Sequence, residues 1–372
     1  MGEFKVYFLP VGQGDSTCVE LPNGQRMLVD INRHPGHGID VVQFLKDRIP
    51  EVEDEYGNRV RKLDYLVITH AHEDHIKGLK ELDEEFVFGE IWDSGHEYEY
   101  GEDLWHEYGE ILQRYDKKGL LRYRKASSKP FSLGTGEDEV TFHVLSPSGY
   151  VKTGERETEQ EKREAIHEEC LVLKMSFRNL GVLLASDSNK ACWERINKHY
   201  AEVLPSKVLH ASHHGSRTFF KTGEDDEEPL KEHLTKLDPE YLIVSVSHPS
   251  KHKHPHKDAM QLYWEVVDKE KVRYSETSMG QEAHVLRIYK SSEDGEWYYS
   301  LDADTDLVNN YLLEDKKDLV AQKSSSYYVR IGARVGKTEG GPFTERYPNK
   351  GRYLEKNLHI QFHRELQCAW AV

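Results

Sequence analysis

Cysteine is scarce in this 372-residue chain, which has four. Cys18, Cys170, Cys192 and Cys368 lie far apart with no CxxC spacing, which excludes a disulfide framework and points to structural thiols in a reducing compartment. Long apolar runs are missing too, so nothing reads as a membrane span. The opening residues Met1-Gly2-Glu3-Phe4-Lys5-Val6-Tyr7-Phe8 run straight into a strand-like pattern. They lack the basic and apolar regions of a secretory signal, so a cytoplasmic location with no membrane partner is expected. Positive charge is in deficit: 50 Lys+Arg against 66 Asp+Glu, a net −16. Such a surface repels polyphosphates at long range and argues against a nucleic-acid coat protein. A nuclease remains open, because a pair of divalent cations inverts the field where it matters.

What is present describes a folded α/β protein. Hydrophobic residues make up 37% and charged residues 31%, a globular composition. Short β-rich runs at 4–9 and 16–21 flank Val11-Gly12-Gln13-Gly14-Asp15, whose two glycines read as a tight turn with its backbone held close to something. Pro22-Asn23-Gly24-Gln25 predicts a hairpin turn, with Met27–Asp30 as the return strand. A helix is predicted at 40–46, then a charged loop to about 62. Leu63–Thr69 is almost wholly apolar and β-branched, as in a strand buried on both faces. Further strands are predicted at 86–92, 140–145, 170–177, 181–185, 207–211 and 241–246, with helices at 189–200 and 230–237. That order is a layered α/β domain. The Glu-rich stretch 149–168 reads as an exposed insertion, and 301–372 as a small β-rich appendage.

Thr69-His70-Ala71-His72-Glu73-Asp74-His75 carries the most information, with four potential ligands in six residues directly after a buried strand. Imidazole and carboxylate are ligands that divalent zinc, manganese or iron accept. His70 and His72 can point at one ion while Asp74 and His75 turn to a second. A solvated His-rich loop is the bland alternative, and HxHxDH after a Val-Ile-Thr strand end disfavours it.

This stretch resembles the HxHxDH hallmark of the metallo-β-lactamase superfamily. Val11–Ser16, Leu183-Leu184-Ala185-Ser186-Asp187, Ser212-His213-His214-Gly215-Ser216, Ser245-Val246 and His254-Pro255 resemble, in order, the signatures of its ComEC-type branch over about residues 4–290. The resemblance implies an αββα sandwich at 1–300 carrying two divalent metal ions, zinc or manganese. It implies Asp187 as the carboxylate bridging both ions, although Ser186 stands where the family usually has glycine. Asp187 could instead cap the following helix.

One of His213 and His214 completes the second metal's shell, and sequence leaves the choice open. Our working assignment takes His213 as ligand, with Asp74, His214 and His254 as catalytic groups. The first metal's third histidine has candidates in His96, His143 and His167, of which His167 is a possible further ligand. Lys77 and Ser216 are possible substrate contacts. The Lys/His run 251–257 reads either as a solvated basic loop or as an anion-binding rim.

The implied chemistry is hydrolysis by a hydroxide activated between two metals, most readily of a phosphodiester in nucleic acid, in a bacterial defence or DNA-processing system. A lactonase or cyclic-nucleotide phosphodiesterase is the alternative that the net charge fits better. A degenerate metal-binding sensor is a third reading, which the intact motifs oppose. The appendage faintly resembles sensor-like β domains of bacterial antiviral effectors, so it would serve a partner protein or self-association.

Overall fold

The computed structural model describes residues 2–33, 38–95, 103–148, 165–223, 225–278 and 280–313. Two β-sheets pack face to face between two layers of helices, the expected αββα sandwich. The first sheet runs in spatial order Trp297–Ala303, His284–Lys290, Phe4–Phe8, Thr17–Glu20, Arg26–Val29, Arg59–Ile68, Phe86–Asp93 and Leu121–Tyr123. The second runs Val272–Tyr274, Tyr241–Val244, Val208–His210, Leu180–Leu184, Val172–Phe177, Val140–Ser146 and Phe131–Leu133.

The period-2 alternation of a strand sorts its side chains between layers. Phe4, Val6 and Phe8 enter the core between the sheets, whereas Tyr7 and Leu9 enter the outer core. Helices Val41–Lys46, Leu79–Glu85, Asp103–Lys117 and Thr305–Tyr311 cover the first sheet through that outer core. Lys190–Tyr200, Glu232–Leu237 and Lys257–Tyr263 cover the second. No helix among the described residues is long and apolar enough to cross a membrane.

Topology decides where chemistry can sit. Arg26–Val29, Arg59–Ile68 and Phe86–Asp93 are parallel neighbours, as are Leu180–Leu184, Val208–His210 and Tyr241–Val244. The loops leaving the carboxyl ends of parallel strands gather along one edge, where ligand sites in α/β proteins form. Ile68, Leu184, His210 and Val244 lead there into His70–His75, Asp187, His213-His214 and Ser245 onward.

Three expectations meet particulars. The charged stretch after the first helix is not all loop: Glu51–Glu53 pairs antiparallel with Arg59–Ile68 and lengthens it outward. Of the supposed insertion, 149–164 lies outside the described residues, but 165–168 is a helical turn with Ala165 and Ile166 buried. Strand Trp297–Ala303 runs through position 300, and Leu307 and Val308 beyond it pack in the outer core; residues 314–372 of the expected appendage lie outside the described residues.

Candidate metal centre

Strand Arg59–Ile68 ends at Thr69, and the chain turns through His70 into the short helix Glu73–Ile76, with His72 in extended conformation at its N-cap. Leaving the strand in this way sends His70 and His72 to one side. His70 Nε2 lies 3.0 Å from His72 Nδ1, and His167 Nε2 lies 3.2 Å from the same atom. Ligand atoms of a tetrahedral ion with bonds of about 2.0–2.1 Å stand about 3.3 Å apart. The ligand atoms of His70, His72, His167 and Asp187 all fall within 4.8 Å of one another. His167 is thus the candidate third histidine that the fold brings in. His143 lies in mid-strand opposite Lys174, and His96 is outside the described residues.

A second pocket adjoins the first. Asp74, His75 and His214 bring their ligand atoms within 4.8 Å, and so do Asp15, His75 and Asp187. Asp187 sits between the pockets with one oxygen in each. Its Oδ1 is 3.3 Å from His75 Nε2 and 3.7 Å from His214 Nε2. Its Oδ2 is 3.8 Å from His70 Nε2, 3.9 Å from His167 Nε2 and 3.5 Å from His213 Nε2. Asp187 does not cap the next helix; Asn189 does, accepting from the Cys192 amide.

Buried polar atoms are nearly always hydrogen-bonded. Asp15 Oδ1, His75 Nε2, Asp187 Oδ1 and His214 Nε2 are buried without such a partner among the described residues. Four lone-pair atoms converging in this way fit a divalent cation. The residues present therefore suit the metal that the resemblance implies.

Residues that the sequence reading left without a role hold this arrangement. Asp30 Oδ2 accepts from His75 Nδ1 at 2.7 Å and from the Thr69 hydroxyl at 2.7 Å, and its Oδ1 accepts from the Thr69 amide. The Thr69 hydroxyl lies 3.1 Å from His70 Nδ1 and accepts from Ser186 Oγ at 2.8 Å. Since that hydroxyl donates to Asp30, His70 must donate to it, which leaves His70 Nε2 unprotonated for a metal. Such carboxylate–histidine contacts fix the tautomer of metal ligands. Ser186 has φ 50°, the left-handed backbone that glycine adopts freely. That explains the family's glycine there, and here the serine hydroxyl is used to tie the two sheets together.

His213 and His214 are also left-handed, at φ 47° and 55°, and Gly215 follows at φ 78°. This bend turns consecutive imidazoles apart. His214 enters the pocket of Asp74 and His75, with its Nδ1 3.1 Å from Ser245 O. His213, our working ligand, instead stands at the mouth, its Nδ1 3.1 Å from Thr218 Oγ1 and its ring 4.5 Å from that of His167. A Cβ on Gly215 would come 2.5 Å from Pro255 Cβ, so only glycine lets the 250–256 loop close over the site.

His254 arrives on that loop, its ring 5.3 Å from His213 and 6.0 Å from His214. Ser250 Oγ donates to Gln13 Oε1, which leaves Gln13 Nε2 to donate to His254 Nδ1 at 3.2 Å. Lys77 is not brought to the pockets; it pairs with Glu73 four residues back on the helix. Ser216 caps the turn Arg217–Phe219 by accepting from the Thr218 amide.

Electrostatics separate the pockets. Burial pushes His72 down to about 4, and burial with neighbouring imidazoles holds His70 and His167 well below their ordinary range. Burial opposes a proton on His214 too, but Asp187, Asp15 and Asp74 outweigh it and lift it to about 9. His75 is likewise held well above its usual range against burial, by Asp187, Asp30 and Asp74. The first pocket is a set of neutral donors, and the second has a field that calls for positive charge.

Residues 9–168 match the model of the metallo-beta-lactamase superfamily. ComE operon protein 3 of Bacillus subtilis (strain 168) is 25% identical over 275 residues, covering 70% of this chain and 30% of that protein. The chain therefore corresponds to less than a third of that relative. Among solved structures, the CmlA beta-hydroxylase E377D mutant aligns with a TM-score of 0.41 at 13% identity, over 77% of this chain and 54% of its own. CmlA, a diiron beta-hydroxylase from Streptomyces venezuelae, aligns at 0.40 and 15% identity, over 74% and 52%. The chain carries a match to the metallo-beta-lactamase superfamily over residues 9–168 and is similar to the ComEC type.

Proposed function

We propose that this protein is a phosphodiesterase that cleaves nucleic acid, with His70, His72, His167 and Asp187 holding one divalent ion and Asp74, His75, His214 and Asp187 a second. The ions, zinc or manganese, would supply Lewis acidity and lower the pKa of a water. The chain's own residues do the rest. Asp74 has a partly exposed side chain and can orient the attacking water. His213, partly exposed between His167 and His254, faces the substrate side and takes over the proton-donor role first given to His214.

Burial, with His213 and His214 close by, pushes His254 down to about 2. It therefore meets substrate as a neutral imidazole. Gln13 occupies its Nδ1, so its proton sits on Nε2 as a hydrogen-bond donor to a phosphate oxygen.

The observation that carries the nucleic-acid reading is the rim. Lys251, Lys253 and Lys257 are exposed around His254 and form no ion pair among the described residues, in a chain of net charge −16. Unneutralised cations beside a hydrolytic centre are placed for a polyanionic backbone. We assign a cytoplasmic location to the protein, and partner binding or self-association to the segment beyond residue 313.

The test is a Mn2+, Zn2+ and Mg2+ series on plasmid DNA, single strands, RNA and bis-p-nitrophenyl phosphate, with Asp74→Ala/His75→Ala as control. Cleavage of polynucleotide is expected, and Lys251→Glu/Lys253→Glu/Lys257→Glu should suppress it while sparing the small diester. Hydrolysis of the small diester alone would overturn the nuclease reading in favour of a small-molecule hydrolase. Less than one metal per chain, not restorable by Mn2+ or Zn2+, would favour a sensor.

A further inference from the structure

Asp15 has no part in the ligand sets above, yet its position is hard to explain without one. It closes the Val11–Asp15 turn and is buried, 4% exposed. The turn is pressed against the metal loop: the Asp15 amide donates to Asp74 O at 3.2 Å, and a Cβ on Gly14 would come 2.4 Å from that same oxygen. The carboxylate thus lies on the wall of the second pocket. Its Oδ1 has no hydrogen-bond partner among the described residues, and a ligand oxygen of Asp15 lies within 4.8 Å of the ligand atoms of His75 and Asp187.

The nearest cationic candidates are already engaged. His214 Nδ1, 3.6 Å from Asp15 Oδ1, is 3.1 Å from Ser245 O. His210 Nε2, 3.7 Å from it, is 2.8 Å from Ser245 Oγ. Asp15 therefore adds a buried carboxylate beside the buried Asp187 and the partly exposed Asp74, with no hydrogen-bond donor of its own among the described residues. Burying a carboxylate without a hydrogen-bond donor is unfavourable.

We propose that Asp15 is a fifth protein ligand of the ion held by Asp74, His75, His214 and Asp187. This rests on the two-metal reading above and sharpens it. The first pocket offers three imidazoles and one shared carboxylate, the donor set of a four-coordinate zinc. The second offers three carboxylates and two imidazoles. More ligands, and harder ones, favour a high-coordinate ion such as Mn2+. The centre is then unequal by construction, with zinc in the first pocket and manganese in the second.

Cobalt absorption tests this without relying on turnover, because tetrahedral Co2+ absorbs strongly in the visible and five- or six-coordinate Co2+ weakly. The full chain is stripped of metal, given one equivalent of Zn2+ to fill the first pocket, then titrated with Co2+ and, separately, with Mn2+ followed by electron paramagnetic resonance. Weak high-coordinate cobalt bands are expected in the wild-type protein. Asp15→Asn should shift those bands and weaken Mn2+ binding at least tenfold, with Zn2+ content unchanged. A carboxylate acting only through His214 would leave the bands in place.

Intense tetrahedral bands in the wild type would overturn the proposal, and they need no variant to fold. Superimposable wild-type and Asp15→Asn spectra would overturn it equally. A protein that takes up no metal at all would fail at the earlier step, bringing down the two-metal reading itself.

Discussion

The pocket of His70, His72 and His167 is built from imidazoles that burial keeps neutral. The pocket of Asp74, His75 and His214 is crowded with carboxylates that keep two imidazoles charged while no cation is bound. The two share Asp187, and both are oriented from one residue, Asp30, directly through His75 and by way of Thr69 for His70. A histidine cluster gives geometry that any borderline divalent ion can use, whereas a carboxylate-rich pocket also sets a field that selects for charge. The difference arises from where loops leave the sheets: His70 and His72 come straight off one strand end, while the second pocket collects residues from four loops.

Breaking the shared element should have the largest effect. Asp187→Asn removes a charged oxygen from both pockets, so metal content measured by elemental analysis should fall in both. Activity should drop on the order of 10³-fold, the upper end for loss of one electrostatic stabiliser in an active site. Full retention of two metals would show that Asp187 does not bridge. Next, His167→Ala and Asp74→Ala should each remove one ion and leave the other, with about 10²-fold lower activity. Equal loss of both ions in either variant would show the pockets to be one cooperative unit.

The supporting residues come third. Asp30→Asn should weaken metal binding about 10- to 100-fold, the usual cost of losing the partner that orients a ligating histidine. The loss should be greater in the second pocket, which Asp30 contacts directly. Thr69→Val should touch only the first pocket, through His70, and more mildly. Reversal of that order in a metal titration would break the assignment of Asp30.

Much of this centre was readable in the sequence because four of its candidate ligands are close together: His70 to His75 span six residues at one strand end. Asp187 and His214 each follow an apolar run, and together with His254, which lies in a Lys/His loop, they share the family's order. Asp15, Asp30 and Thr69 escaped because each looks ordinary where it stands, a turn carboxylate and two strand-end residues. Their significance lies in contacts across 39 to 59 positions, such as the Asp30–Thr69 and Asp15–Asp74 pairs. A usable signal for Asp30 did exist, an aspartate ending a buried strand that runs parallel to the HxHxDH strand.

That His214, not His213, lies beside Asp74 and His75 could not be read either. Adjacent histidines diverge according to backbone handedness, and left-handed residues other than glycine are adopted only when surrounding structure imposes them. The glycine pair in Val11–Asp15 was read as backbone held close to something; that something is Asp74 O.

The smallest effect concerns a histidine outside the centre. Like Nε2 of His75 and of His214, both ring nitrogens of buried His233 are unpaired among the described residues, but rings surround it instead of carboxylates: Phe219 at 4.3 Å, Trp193 at 5.2 Å and Phe220 at 5.6 Å. Burial alone pushes it from 6.5 down to about 3. The unfolded chain therefore binds a proton below pH 6.5 that the folded chain refuses until about pH 3, and stability is lost as pH falls through that window. At about 1.4 kcal/mol per pH unit, the loss reaches about 2 kcal/mol at pH 5. His233→Leu should erase this component, so its stability relative to wild type in urea titrations should rise by about 2 kcal/mol between pH 7 and pH 5. A difference that does not move with pH would mean that His233 has an acceptor after all. The contrast with His75 and His214, where carboxylates reverse the sign of the shift, would then no longer separate a metal ligand from a packed imidazole.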